Sequence, residues 1–385
     1  MRIVGAVLER SGDVPPFAVS HPFSVSHLEL SEPGAGEILI RIEAASVCHS
    51  DLSVVDGNRP RPLPMLLGHE AAGIVEHLGT GVDDLAVGDR VVMTFLPRCG
   101  ACPECASDGR LPCRVGSAAN GAGTLLGGGM RLSRDGREIF HHLGVSAFAS
   151  HAVVNAASVV RVEQDVPAEV AALLGCAVLT GGGAVINAGR PGVGETVMVV
   201  GLGGVGMAAL LVAVALGHPV VAVDALEEKL ELARELGASE TFTPAALAES
   251  GRRARVVIEA AGSARAFETA FAATEPGGTT VTVGLPSPDA RVSLSPLTFT
   301  AEARTVIGSY LGSAVAARDI PRYVELWRSG RLPVERLISS RIGLADLESA
   351  MDRLASGSAL RQIIVVDPDL TLEPTPHPSH EGTPL

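Results

Sequence analysis

The chain has 385 residues, 46% of them apolar and 19% charged, which is enough for two domains of ordinary size, each with its own core. Its net charge of −13 argues against a nucleic-acid partner, and an aromatic content of 3% removes the stacking platforms that single strands need. Apolar runs are broken by Gly or polar residues before the length of a membrane span, and MRIVGAVLERSGD does not have the form of a signal peptide. A cytoplasmic protein with no membrane partner is the expectation.

From residue 1 to about 177 the chain is dense in short β-type runs split by Pro and Gly. EILIRIEAASV (37–47), AAGIVEHLG (71–79) and DRVVMTF (89–95) are examples, and they predict a β-rich domain. From 178 to 328 the pattern changes to strand, helix, strand, helix: TVMVV (196–200), VGMAALLVAVALG (205–217), PVVAVD (219–224) and EEKLELARELG (227–237). VVIEAAG (256–262) and TTVTVGL (279–285) continue it. Near-continuous apolar strands alternating with helices predict a buried parallel sheet, so the fold class is α/β. Residues 329–366 alternate strand and helix again and are expected to rejoin the first domain. The Pro-rich stretch 367–385 reads as a disordered tail.

The turn VGLGGVG puts Gly201, Gly203, Gly204 and Gly206 between an apolar strand and a helix. Glycines there let backbone N–H groups approach a pyrophosphate at the helix N-terminus. Asp224 ends the next strand, where a carboxylate accepts hydrogen bonds from ribose hydroxyls and repels a 2′-phosphate. NAD is therefore expected rather than NADP. Lys229, the only lysine, is either a solvated helix residue or a ribose contact.

Four of the six cysteines, Cys99, Cys102, Cys105 and Cys113, lie within one short stretch. In a reducing compartment such spacing reads as metal ligation, and four thiolates make a closed structural zinc site. An iron–sulfur cluster and four unligated buried thiols are the alternatives. An open catalytic zinc needs fewer protein ligands. The isolated Cys48 and Cys176 with His69 are candidates, although each also reads as an ordinary core residue.

VCHSDL (47–52), LGHEAAGIVE (67–76), the four-cysteine lobe (about 97–115), LLGCAVLTGGGAV (173–185) and VGLGGVG (200–206) occur in this order. Together they resemble the zinc-containing medium-chain alcohol dehydrogenase family. The longer segment between Cys113 and FHHLGVSAF (140–148) looks like its class I and class III members. The resemblance implies a GroES-like catalytic domain plus a Rossmann coenzyme domain, two zinc ions per chain (one catalytic, one structural) and NAD. It implies that Cys48, His69 and Cys176 bind the catalytic zinc, with Glu70 behind the metal. Asp51 would orient the ligand histidine and Ser50 would take the alcohol proton.

By the same resemblance, His49 and Arg361 would meet the pyrophosphate and Thr180 and Val205 the nicotinamide. Phe95, His142, Leu143 and Leu285 would line the substrate pocket. Two departures stand out. Ser53 occupies the place of a relay histidine, and His142 interrupts an apolar lining. The expected reaction is reversible oxidation of an alcohol to an aldehyde or ketone. Its rivals are a thiol-dependent formaldehyde dehydrogenase acting on a hydroxymethyl adduct and a non-catalytic zinc-binding structural protein. The expected assembly is a homodimer, with a tetramer as the alternative.

Overall fold

The computed structural model describes residues 1–366, so the expected tail at 367–385 lies outside the described residues. Among the described residues there are three sheets. A closed barrel is formed by Arg2–Leu8, Phe23–Leu30, Leu132–Arg134, Arg137–His141 and Met65–Leu66. Beside it lies a seven-stranded sheet in the order Val159–Val162, Arg90–Met93, Ala71–Leu78, Glu37–Val47, Arg361–Val365, Ile338–Ile342, with His151–Asn155 also pairing to Glu37–Val47. The C-terminal strands thus return to the first half of the chain. Gln362 pairs with Val47, which sets Arg361 beside the residue after Val47.

The third sheet is all parallel. Its order is Glu240–Phe242, Val220–Val223, Val197–Val200, Ala254–Glu259, Thr274–Thr282, Thr305–Gly308. Numbered along the chain this is 3-2-1-4-5-6, the doubly wound order in which ligands bind beyond the carboxyl ends of the strands. Every residue of Val197–Val200 and Val220–Val223 is buried, because helices cover both faces. The helix Gly204–Ala215 is apolar on every side for the same reason. The strand expected at 279–285 starts earlier, at Thr274, and ends at Thr282. Its pairing register breaks between Ala254 and Val256.

One helical run, Ala168–Gly189, connects the β-rich part to the parallel sheet. Its 22 residues are apolar enough to span a membrane, but 89% of the spanning window is buried inside the protein. The expected division between 177 and 178 falls within this run, not in a linker. Gly181 explains how the run packs: a Cβ there would stand 2.3 Å from the Val205 carbonyl oxygen, so only glycine lets it lie against Gly204–Ala215. One hydrophobic cluster runs from Ala44 and Val92 through Leu173 and Leu179 to Val199 and Leu210, and joins the two parts.

Candidate active site

Cys48 follows the strand Glu37–Val47 and caps the short helix His49–Val55. Asp51, three residues on, reaches back so that its Oδ2 accepts the Cys48 N–H at 3.1 Å. Its Oδ1 accepts from the Gly68 N–H at 3.2 Å and lies 3.0 Å from His69 Nδ1. The carboxylate accepts the hydrogen bond from Nδ1, which fixes the ring and turns the other nitrogen, Nε2, toward the sulfurs. That nitrogen lies 3.6 Å from Cys176 Sγ. Burial would raise the Asp51 pKa, but the His69 charge and the bonds from both neighbouring histidines hold it well below the usual carboxylate range.

Cys176 sits where the long helix widens, at Leu174–Val178, to i→i+5 bonding, a local irregularity that aims a side chain inward. The ligand atoms of Cys48, His69 and Cys176 all lie within 4.8 Å of one another. Two soft sulfurs and an imidazole nitrogen form a three-donor set that zinc accepts with one position left open. Arg361 Nη2 stands 3.7 Å from Cys48 Sγ. A hydrogen bond from Cys176, aided by the Arg361 charge and opposed by burial, draws the Cys48 thiol well below its ordinary range. Behind the trio, Glu70 Oε1 accepts from the Ala177 N–H at 3.1 Å and Oε2 lies 3.3 Å from Arg361 Nε. Burial pushes the Glu70 carboxyl up to about 7 against the pull of Arg361.

A cavity of about 370 Å³ opens from the trio toward the parallel sheet. It is lined by Cys48, His49, Ser50, Ser53, Phe95, Cys176, Thr180, the turn residues Gly201, Gly203, Gly204 and Val205, and by Asp224, Lys229, Leu285, Tyr310 and Arg361. The fit to a dinucleotide is steric as well as chemical. Gly201 has φ +93, and a Cβ there would meet Ala261 at 2.6 Å. The space over Gly204 holds the Arg361 guanidinium, 2.1 Å from where a Cβ would be, so a cation sits at the helix N-terminus. Gly206 does not line the cavity. It packs under the turn, where a Cβ would strike the Gly201 carbonyl oxygen at 1.8 Å. Asp224 is held in place by the N–H groups of Leu202 (2.7 Å) and Leu226 (3.0 Å).

Two residues expected on the pocket wall are elsewhere. His142 is 1% exposed and does not line the cavity. It lies behind Asp51, with Nε2 3.3 Å from Oδ1, and edge-on to His69 at 5.5 Å between ring centroids. The cause is local: its N–H donates to Ser146 Oγ at 2.8 Å and the chain turns through Leu143 at φ +53, which folds the imidazole inward. Leu143 joins the core beside Phe95 and Cys48. Tyr310 lines the cavity in their stead, edge-on to Phe95 at 5.7 Å, and Phe95 is edge-on to His69 at 5.4 Å. The signal for Tyr310 was its place two residues past the strand Thr305–Gly308, at the binding edge of the parallel sheet.

The four-cysteine lobe is a separate centre. Its sulfurs lie within 4.8 Å of one another: Cys102 is 3.4 Å from Cys105 and 3.8 Å from Cys113, and Cys99 is 3.9 Å from Cys105. A tetrahedral ion with metal–sulfur bonds of about 2.3 Å sets its sulfurs about 3.8 Å apart. A cluster that carries each thiolate on a different iron needs a wider cage, so the geometry suits a single ion.

An alcohol dehydrogenase GroES-like domain matches residues 34–164, and a zinc-binding dehydrogenase domain matches residues 204–329. Alcohol dehydrogenase 1 of Pisum sativum is 33% identical over 360 residues, 90% of this chain and 94% of its own. Among solved structures, an alcohol dehydrogenase zinc-binding domain protein from Burkholderia ambifaria superposes with a TM-score of 0.88 at 32% identity, covering 95% of this chain and 99% of the other. Benzyl alcohol dehydrogenase from Acinetobacter calcoaceticus gives 0.87 at 30% identity, over 95% and 100%. A GroES-like half and a zinc-binding dehydrogenase half follow one another in a chain that spans these relatives nearly end to end, and the protein belongs to the zinc-containing medium-chain alcohol dehydrogenase family.

Proposed function

We propose that this zinc-dependent alcohol dehydrogenase uses NAD, with one zinc at Cys48, His69 and Cys176 and a second at Cys99, Cys102, Cys105 and Cys113. The observation that carries the reading is convergence. Two thiols and an oriented imidazole meet at one end of a cavity whose far wall is a glycine turn and a strand-end carboxylate. Bound zinc supplies Lewis acidity at the alcohol oxygen, and the nicotinamide accepts the hydride.

The chain's own residues do the positioning. Asp51 fixes the His69 ring, and Thr180 and Val205 flank the nicotinamide. His49 and Arg361 meet the pyrophosphate, and Asp224 accepts from the ribose hydroxyls. Ser50 takes the alcohol proton. Ser53, whose Oγ donates to the His49 carbonyl at 2.9 Å, is no base, so water completes the path to solvent. The working unit is a homodimer in the cytoplasm.

Metal analysis with steady-state NAD reduction on a panel of aliphatic and aryl alcohols tests the reading. Two zinc ions per chain are expected. Cys176→Ala should lose one of them together with turnover and keep NAD binding; retained turnover overturns the catalytic-zinc assignment. Asp224→Gly should raise the NADP-to-NAD ratio of kcat/KM, and an unchanged ratio removes the ribose role.

A further inference from the structure

The tip of the four-cysteine lobe reaches across to the coenzyme half of the chain. Between Cys102 and Cys113 every residue is half-exposed or exposed except Gly109, which is buried. Gly109 has φ +84, and a Cβ there would stand 2.4 Å from the Ser313 carbonyl oxygen and 3.0 Å from the Ala314 carbonyl carbon. The lobe backbone therefore lies directly on the backbone that follows the strand Thr305–Gly308. Beside it, Arg318 Nη1 donates to Asp108 Oδ1 at 2.6 Å, and its other nitrogens hold Asp319. Asp319 is buried and accepts the Val315 N–H at 3.0 Å, so the ion pair continues into the base of the same segment.

That segment is strained. Leu311, Gly312 and Ser313 follow one another at φ 51, 68 and 50, and two of the three carry a Cβ in the left-handed region. Such backbone persists only where its surroundings hold it. The long helix holds one side, since a Cβ on Gly312 would meet the Leu179 carbonyl oxygen at 2.3 Å. Gly109 holds the other. From this pinched segment Ser309, Tyr310 and Leu311 line the cavity, and Tyr310 stands edge-on to Phe95 at 5.7 Å. Phe95 is fastened by the lobe as well. The helix Arg114–Ala122 is capped by the last cysteine of the lobe, Cys113, and its Asn120 Nδ2 donates to the Phe95 carbonyl at 2.7 Å. Both rings of the wall thus lead back to the lobe, one from each half of the molecule.

We propose that Asp108 and Gly109 are positioning residues for the alcohol: by bearing on Ser313 they hold Tyr310 against Phe95 and so set the width of the pocket beside Cys48, His69 and Cys176. This rests on the dehydrogenase reading above. The lobe then has a task in substrate selection in addition to its own folding. The test is steady-state oxidation, with NAD, of the widest and the narrowest alcohols that the wild type turns over on the panel above, by wild type, G109A, Y310A and G109A/Y310A. A wide alcohol meets both rings and a narrow one does not. In G109A the KM for the wide alcohol should rise roughly tenfold, while kcat and the KM for the narrow one stay within about twofold. In the Y310A background the same change should be nearly silent, because residues that act through one contact are not additive.

An unmoved KM for the wide alcohol, equal losses with both alcohols, or a G109A effect as large in Y310A as in wild type each overturn the proposal and leave the dehydrogenase reading standing. If G109A does not fold, S313G takes its place, since it removes the side chain from the strained position and adds no bulk. It should loosen the segment and raise the same KM, and an unchanged value overturns the proposal. Turnover of no alcohol on the panel overturns the dehydrogenase reading and the proposal with it.

Discussion

At the scale of single residues, Asp51 is the organising group. One buried carboxylate receives the Cys48 and Gly68 N–H groups and faces His69 and His142. Asp51→Asn keeps the shape and removes the charge that fixes the His69 tautomer. Zinc affinity at the trio should fall roughly 10- to 100-fold, read by competition with a chelator, and unchanged affinity would refute the orienting role. Asp51 was legible from VCHSDL only through the family resemblance; its reach back to the Cys48 N–H, which caps the helix, is a contact of the folded chain. The place of His142 was not. It depends on the left-handed turn at Leu143 and on the Ser146 hydroxyl, and a non-glycine residue at positive φ leaves no mark in composition or periodicity.

At the scale of elements, the run Ala168–Gly189 carries Cys176 and Thr180 and sits against Gly204–Ala215 at glycine distance. Gly181→Val would drive methyl groups into the Val205 carbonyl. A loss of about 2 kcal/mol in the urea unfolding free energy is expected, with weaker NAD binding because Val205 lines the cavity. In the sequence, the change of pattern near 178 reads as a boundary. The structure shows one continuous helix there, because glycine in a helix is tolerated where a neighbour must come close.

The clustering of the four cysteines was the opposite case, legible from spacing, since they are local in the chain and their sulfurs come together. Most of the lobe's residues are half-exposed or exposed, so little core holds it. If the proposed second zinc holds it, chelation should open residues 98–113 to protease while the three sheets stay folded; a lobe equally resistant after chelation would show that packing suffices.

At the scale of the whole molecule, the sheets were readable because apolar alternation and strand–helix alternation are local signals of global layers. Closure of the barrel was not, nor, beyond the expected return of residues 329–366, was the pairing of Arg361–Val365 with Glu37–Val47, since contact across more than 300 positions leaves no local trace of register. Global stability also has a legible acid weakness. His141 is fully buried, accepts the Arg131 N–H at 3.1 Å, and burial, with the Arg131 charge, pushes its pKa down to about 3. The unfolded chain binds a proton there below the ordinary value near 6.5 and the folded one does not. Stability is therefore intact above that value and falls as pH drops toward 3, by about 1.4 kcal/mol per pH unit. His141→Gln should remove this slope, so the gap in unfolding free energy between wild type and variant should narrow between pH 6.5 and 4. A gap independent of pH would show that His141 does not titrate on unfolding.

The trio has a mechanical side too. His69 and Cys176 are 107 positions apart in the chain, and they belong to the β-rich half and to the helix that leads out of it. Under the zinc reading proposed above, an ion gripped by both would be a rivet across that distance. By analogy with a disulfide, closing so long a loop removes unfolded-state entropy on the order of 4–5 kcal/mol.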